Sequence, residues 1–105
     1  MSSFALPLDG PIIASEADAL DHIGNASYSG ADLLVIPVAR LSPDFFKLST
    51  GLAGEILQKC STYQMKVAIV GDISAYTAKS GPLRDFVSES NRHGAVRFVA
   101  SEADL

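Results

Sequence analysis

Two aspartates follow turn-forming residues, Asp44 after Pro43 and Asp72 after Gly71. Carboxylates brought to one edge could bind a cation or divide acid and base work between them. Each is also ordinary turn and cap chemistry. Between them, Ser49-Thr50-Gly51 precedes a segment of helical apolar period, with Glu55 in its first turn. A hydroxyl there caps the helix by accepting from a free amide, and Gly51 lets the turn close. The same position favours a bound anion, or a phosphate placed on the hydroxyl, because helix-start amides and the dipole attract negative charge. Further along, Lys79 and Arg84 flank Ser80-Gly81-Pro82, with Asp85 next, as cations that would complement an anion.

Other reactive side chains assemble into nothing catalytic. The GxxxxGK[ST] spacing is absent, and Gly51-x-x-Gly54 is no nucleotide fingerprint. Cys60 sits on an apolar helix face that carries no basic residue, which reads as a buried, inert thiol. His22 falls on an outward face and His93 in a helix-ending loop, neither ordered with a Ser or Cys. No pair of Cys or His has metal-ligand spacing, so neither a metal nor a cofactor is expected. Of Phe45 and Phe46, one ring belongs in the core. The other, with Tyr28 or Tyr76, either forms an interaction surface or is covered as well.

Positioning these groups falls to one domain, because 105 residues supply a single core and not two. Hydrophobic residues at 48% and charged ones at 19% describe a folded chain. Net charge is −4 and the basic residues are scattered, whereas tracking phosphates needs clustered cations, so no nucleic-acid partner is expected. The single cysteine excludes an intrachain disulfide. No apolar run approaches bilayer length and MSSFALPLDG lacks a signal-peptide pattern, which predicts a cytoplasmic domain without membrane contact.

Along the chain, Phe4 to Leu8 reads as a short strand that Pro7 confines to an edge, and Ile12-Ile13 as a second extended piece. Ser15-Glu16-Ala17-Asp18 is a near capping box opening a helix with Ala19, Leu20, Ile23 and Ala26 inward, ended by Ser29-Gly30. Three unalternating apolar runs, Leu33 to Ile36, Val67 to Val70 and Val96 to Val99, suit strands covered on both faces; Arg97 marks the last as an edge. Between them, Leu52, Ala53, Ile56, Leu57, Cys60 and Tyr63 form one helix face, with Glu55 and Lys59 paired outside. Pro82 opens a helix with Leu83, Phe86, Val87 and Ser90 inward, closed by Asn91 to Gly94. Ser101-Glu102-Ala103-Asp104 repeats the earlier cap, and its helix is expected to be cut short at Leu105. Alternation of this kind predicts an α/β domain spanning 1–105, with four to five mostly parallel strands. Functional loops then gather beyond the carboxyl ends of the strands.

These segments resemble a small bacterial family catalogued as domain of unknown function 4180. The likeness is carried by Asp18-Ala19-Leu20-Asp21-His22-Ile23-Gly24 and by Asp44-Phe45-Phe46 with Thr50 to Lys59. It continues through Ala68 to Asp72, Leu83-Arg84-Asp85-Phe86 and Glu89-Ser90-Asn91. That resemblance implies the domain type and no activity. Leu48-Ser49-Thr50-Gly51-Leu52 is also similar to the switch segment of STAS domains, the fold of bacterial anti-sigma-factor antagonists, where a Ser or Thr at a helix start is phosphorylated. Their acidic position is Leu48 here, and the linker from Pro37 to Lys47 is long for that fold.

The expectation is a STAS-like, non-enzymatic regulatory or protein-binding module, its partner another protein or a second copy. Its working surface runs over Asp44, Phe45, Phe46, Ser49, Thr50, Gly51 and Glu55, with Asp72, Arg84 and Asp85. The alternative is a small-molecule or anion site at the same edge, with Asp44, Thr50, Asp72 and Arg84 converging and an enzymatic role open.

Overall fold

The computed structural model describes residues 2–105. The three apolar runs form parallel strands as expected: β2 (Leu33–Pro37), β3 (Lys66–Val70) and β4 (Val96–Val99). β1 (Ser3–Ala5) is shorter than expected, because Pro7 has no amide to give the ladder; Leu6 makes the last bond, to the Val35 carbonyl at 3.0 Å. The sheet order is β1-β2-β3-β4, every pair parallel, so β1 and β4 are the edges. Ile13 contributes only an isolated bridge to Leu41.

The helices follow from their caps. In α1 (Glu16–Tyr28) the Ser15 hydroxyl accepts from the Asp18 amide, while the Asp18 carboxylate reaches back to the Ala14 amide. α2 (Leu52–Thr62) starts at Gly51, whose φ of 78° is the left-handed value that glycine adopts without Cβ strain. A short α3 (Ser74–Thr77) was not legible, being a single turn with no apolar period. α4 (Gly81–His93) has Ser80 as its cap, Pro82 in its first turn and Gly94 at its end.

Each crossover moves one strand in the same direction, and right-handed crossovers then place every helix on one face of the sheet. The core bears this out: Leu34, Ile36, Val67, Ile69 and Phe98 pack with Ala19, Ile23, Ile56, Cys60 and Leu83. Val35 and Ala68 point the other way; both are buried, yet neither belongs to that cluster. No helix among the described residues overlies their side. Part of it is occupied by the 3-10 turn Glu102–Asp104, which Arg97 ties down by donating to the Asp104 carbonyl at 3.1 Å. The central strands are thus buried on both faces as expected, with Val35 and Ala68 on the second, but helices overlie one face only.

Two side chains do work that the apolar pattern does not reveal. Arg40 is 3% exposed and the one buried charged residue among those described. Its guanidinium donates to the carbonyls of Pro7, Pro11 and, at 3.4 Å, Asp9, and so holds the 7–11 loop; Gly10 lies against it too closely for a Cβ. Burial, then the neighbouring Arg40 charge, lowers the pKa of His22, which is half-buried and not outward as expected. Asn91 accepts from the Phe98 amide at 2.7 Å and donates to the Phe98 carbonyl at 3.3 Å, standing in for a fifth strand on the free side of β4. Two smaller expectations fail as well. Tyr63 is 45% exposed, since it lies at the end of α2, and Lys59 pairs with Glu16 of α1 at 3.8 Å instead of with Glu55.

Candidate functional site

The chain between β2 and α2 makes three short 3-10 turns: Val38–Arg40, Pro43–Phe46 and Leu48–Thr50. Pro43 supplies the φ for the second, and the Ser42 hydroxyl accepts from the Asp44 amide at 3.2 Å. The turn drives both phenyl rings inward. Phe45 is 1% exposed and Phe46 3%, so both rings are covered and neither forms an interaction surface. They meet edge to face at 5.2 Å, and Phe46 stacks on Tyr76 at 4.4 Å and 12°, joining this loop to α3. Tyr28, by contrast, is 95% exposed.

The two hydroxyls at the start of α2 have different fates. The Thr50 hydroxyl shares its proton between the carbonyls of Asp44 and Lys47, both at 2.8 Å, and accepts from the Leu52 amide at 3.3 Å. It is a structural clasp that secures the turn and caps the helix. Ser49 is exposed and has no such bonds among the described residues. Both residues are exposed, so if a hydroxyl of this pair receives a phosphate, it is the hydrogen bonding of Thr50 that selects Ser49.

Ser49 also opens onto a groove of about 630 Å³. One bank is Phe46 to Ser49, the chain leaving β2; the other is Ala75, Tyr76, Lys79, Ser80 and Pro82, the chain leaving β3. Its floor is aromatic and aliphatic, while Lys47 and Lys79 supply two ammonium groups, and no carboxylate, imidazole or thiol lines it. Neither lysine has an ion pair among the described residues.

Asp72 lines a separate hollow of about 410 Å³ beyond β3 and β4, beside Ser74, Thr77 and Phe98. Its carboxylate accepts from the Ser74 amide at 2.8 Å. That bond, then one from the Ser74 hydroxyl, lowers its pKa; the group is fully exposed, and this is turn chemistry. Asp44, Thr50 and Arg84 line neither hollow. Arg84 donates to the Thr77 carbonyl at 2.7 Å, and Asp85 is exposed on α4. Gly51 and Glu55 are exposed at the start of α2. The structure thus joins Phe46 and Ser49 in one groove and ties Asp44 to Thr50 through the backbone. Asp72 stands apart. No group of three or more His, Cys, Asp or Glu among the described residues could hold a metal. Cys60 is buried, and burial pushes its thiol up to about 11, far from a nucleophile's range.

Sequence reasoning weighed Lys79 and Ser80 but missed Lys47, Leu48 and Tyr76 as neighbours of Ser49. Their only sequence signal is that both banks follow strand ends, which does not say which loops touch.

A family model described as domain of unknown function (DUF4180) matches residues 2–105, and the chain belongs to that family. No curated protein and no solved structure matches it.

Proposed function

We propose that this member of the DUF4180 family is a non-enzymatic regulatory module that binds a protein partner at the carboxyl edge of its sheet. The supporting observation is the groove beside Ser49, where the loops leaving β2 and β3 meet. Its lining carries lysine and serine but no acid–base pair, which suits recognition better than turnover. The reading follows the STAS-like order of a buried strand, a Ser-Thr-Gly segment and a helix. A phosphate on Ser49 would add negative charge beside Lys47 and alter docking at the groove. We place this activity in the bacterial cytoplasm. The partner is another protein or a second copy, and Phe45 and Phe46 serve it by shaping the groove from within rather than by direct contact.

A photo-crosslinking residue in place of Ser49, compared with one in place of the exposed Tyr63, tests the reading in cells. The expected result is a discrete adduct from position 49 that is absent from position 63 and is lost on adding Leu48→Asp. Equal adducts from both positions, or none from position 49, would refute it.

A further inference from the structure

We infer that the groove is a binding site for a small amphipathic organic anion, one with a flat apolar body and a single phosphate or carboxylate. The inference rests on reading the groove as the working site, and adds the chemistry of what fills it.

Size comes first. About 630 Å³ lies within the range of small-molecule pockets, which are mostly apolar with a few placed polar groups. Phe46, Leu48, Tyr76 and Pro82 supply the apolar part, and the Phe46–Tyr76 stack fixes one wall in place before any ligand arrives. A flat ring gains there by burial and by stacking on an aromatic wall.

Charge decides the rest. The chain carries −4 overall, with twelve acidic residues against eight basic, yet the groove lining holds two lysines and no acid. Of the six basic side chains elsewhere, five find partners: Lys59 pairs with Glu16, Arg92 with Glu89, and Arg40, Arg84 and Arg97 donate to backbone carbonyls, while Lys66 is exposed with no partner among the described residues. Lys47 and Lys79 have no ion pair among the described residues. Two unpaired ammonium groups over an apolar floor are complementary to an anion that has an apolar body. A neutral ligand would leave that complementarity unused, and a bare inorganic anion would leave the floor wet. The hydroxyls of Ser49 and Ser80 complete the polar side of the lining.

The probe is 1-naphthyl phosphate, titrated into the full chain and followed through backbone amide chemical shifts, with 1-naphthol and inorganic phosphate as comparisons. Shifts should concentrate at residues 46–49 and 75–82. Affinity should exceed that of either comparison by at least about tenfold, and should weaken with added salt. Lys47→Ala with Lys79→Ala should cost about tenfold in affinity; Lys59→Ala with Lys66→Ala, which lies outside the groove, should cost nothing measurable. Both lysines of the groove are exposed, so the test pair folds. Equal binding of 1-naphthol, equal binding of inorganic phosphate, or shifts centred elsewhere would overturn the inference. If it fails while the position-49 adduct persists, the protein-binding reading stands and the ligand class is wrong.

Discussion

Ser49 and Thr50 are neighbours of similar chemistry with opposite consequences. Thr50 closes a ring of bonds to Asp44, Lys47 and Leu52, so Thr50→Ala removes the side-chain bonds that hold the turn leading into α2. The expected loss is about 1 kcal/mol, while Ser49→Ala should stay within about 0.5 kcal/mol of the parent. Urea midpoints of the two variants check this, and equal losses would mean that Ser49 also carries structure. Cys60 makes a pH prediction. Its thiol is raised from 9.0 to about 11 by burial, so below pH 9 both folded and unfolded chains keep it protonated. Above that the unfolded thiol ionises and the folded one does not. The unfolded state then binds fewer protons, and stability falls by up to about 1.4 kcal/mol per pH unit until about 11. The measurement is the difference in slope between the parent and Cys60→Ala, which should lose this component.

Elements were legible wherever a cap and a period agreed. Ser15 with Asp18, Pro82 in the first turn of α4, and the runs around Val35, Ala68 and Phe98 came out within a residue or two, because local chemistry and core burial point the same way there. The stretch from Val38 to Thr50 did not. Its three 3-10 turns are each one turn long, with no period to read, and Phe45 and Phe46 are both inward because the turn twists between them. The groove depends on that stretch meeting α3, a tertiary fact carried by the Phe46–Tyr76 stack. Asn91 was illegible for a related reason: its clip on Phe98 needs a helix and a strand seven residues apart to be antiparallel neighbours. Asn91→Ala should free the outer edge of β4, speed hydrogen exchange at the Phe98 amide by roughly tenfold, and cost about 1–2 kcal/mol. Asn91→Asp, which keeps only the acceptor, should retain much of that amide's protection. Unchanged exchange in Asn91→Ala would show that the edge is guarded otherwise.

At the scale of the whole molecule, the unusual property is a parallel sheet with its helices on one face. Such sheets ordinarily carry helices on both, and here no helix among the described residues overlies the second side, although Val35 and Ala68 are buried there. A pair of valines measures what this means energetically. Val67 is 1% exposed and sits in the helix-side core; Val35 is 3% exposed and lies outside it. The side chain, its burial and its place in a strand are thus nearly the same, and only the overlying layer differs. Val67→Ala should cost about 2 kcal/mol or more, from two lost methyl groups plus a cavity that helices hold open. At Val35 no helix holds the gap open, so its neighbours can close on it and the cost should be about 1 kcal/mol or less. Urea unfolding of both variants at two protein concentrations makes the comparison. An equal cost at Val35 would show that the second side is packed as rigidly as the helix side. If that cost also fell on dilution, a second copy would contribute to that packing, and the self-association anticipated from the sequence would lie on the helix-free sheet face instead of at Phe45 and Phe46.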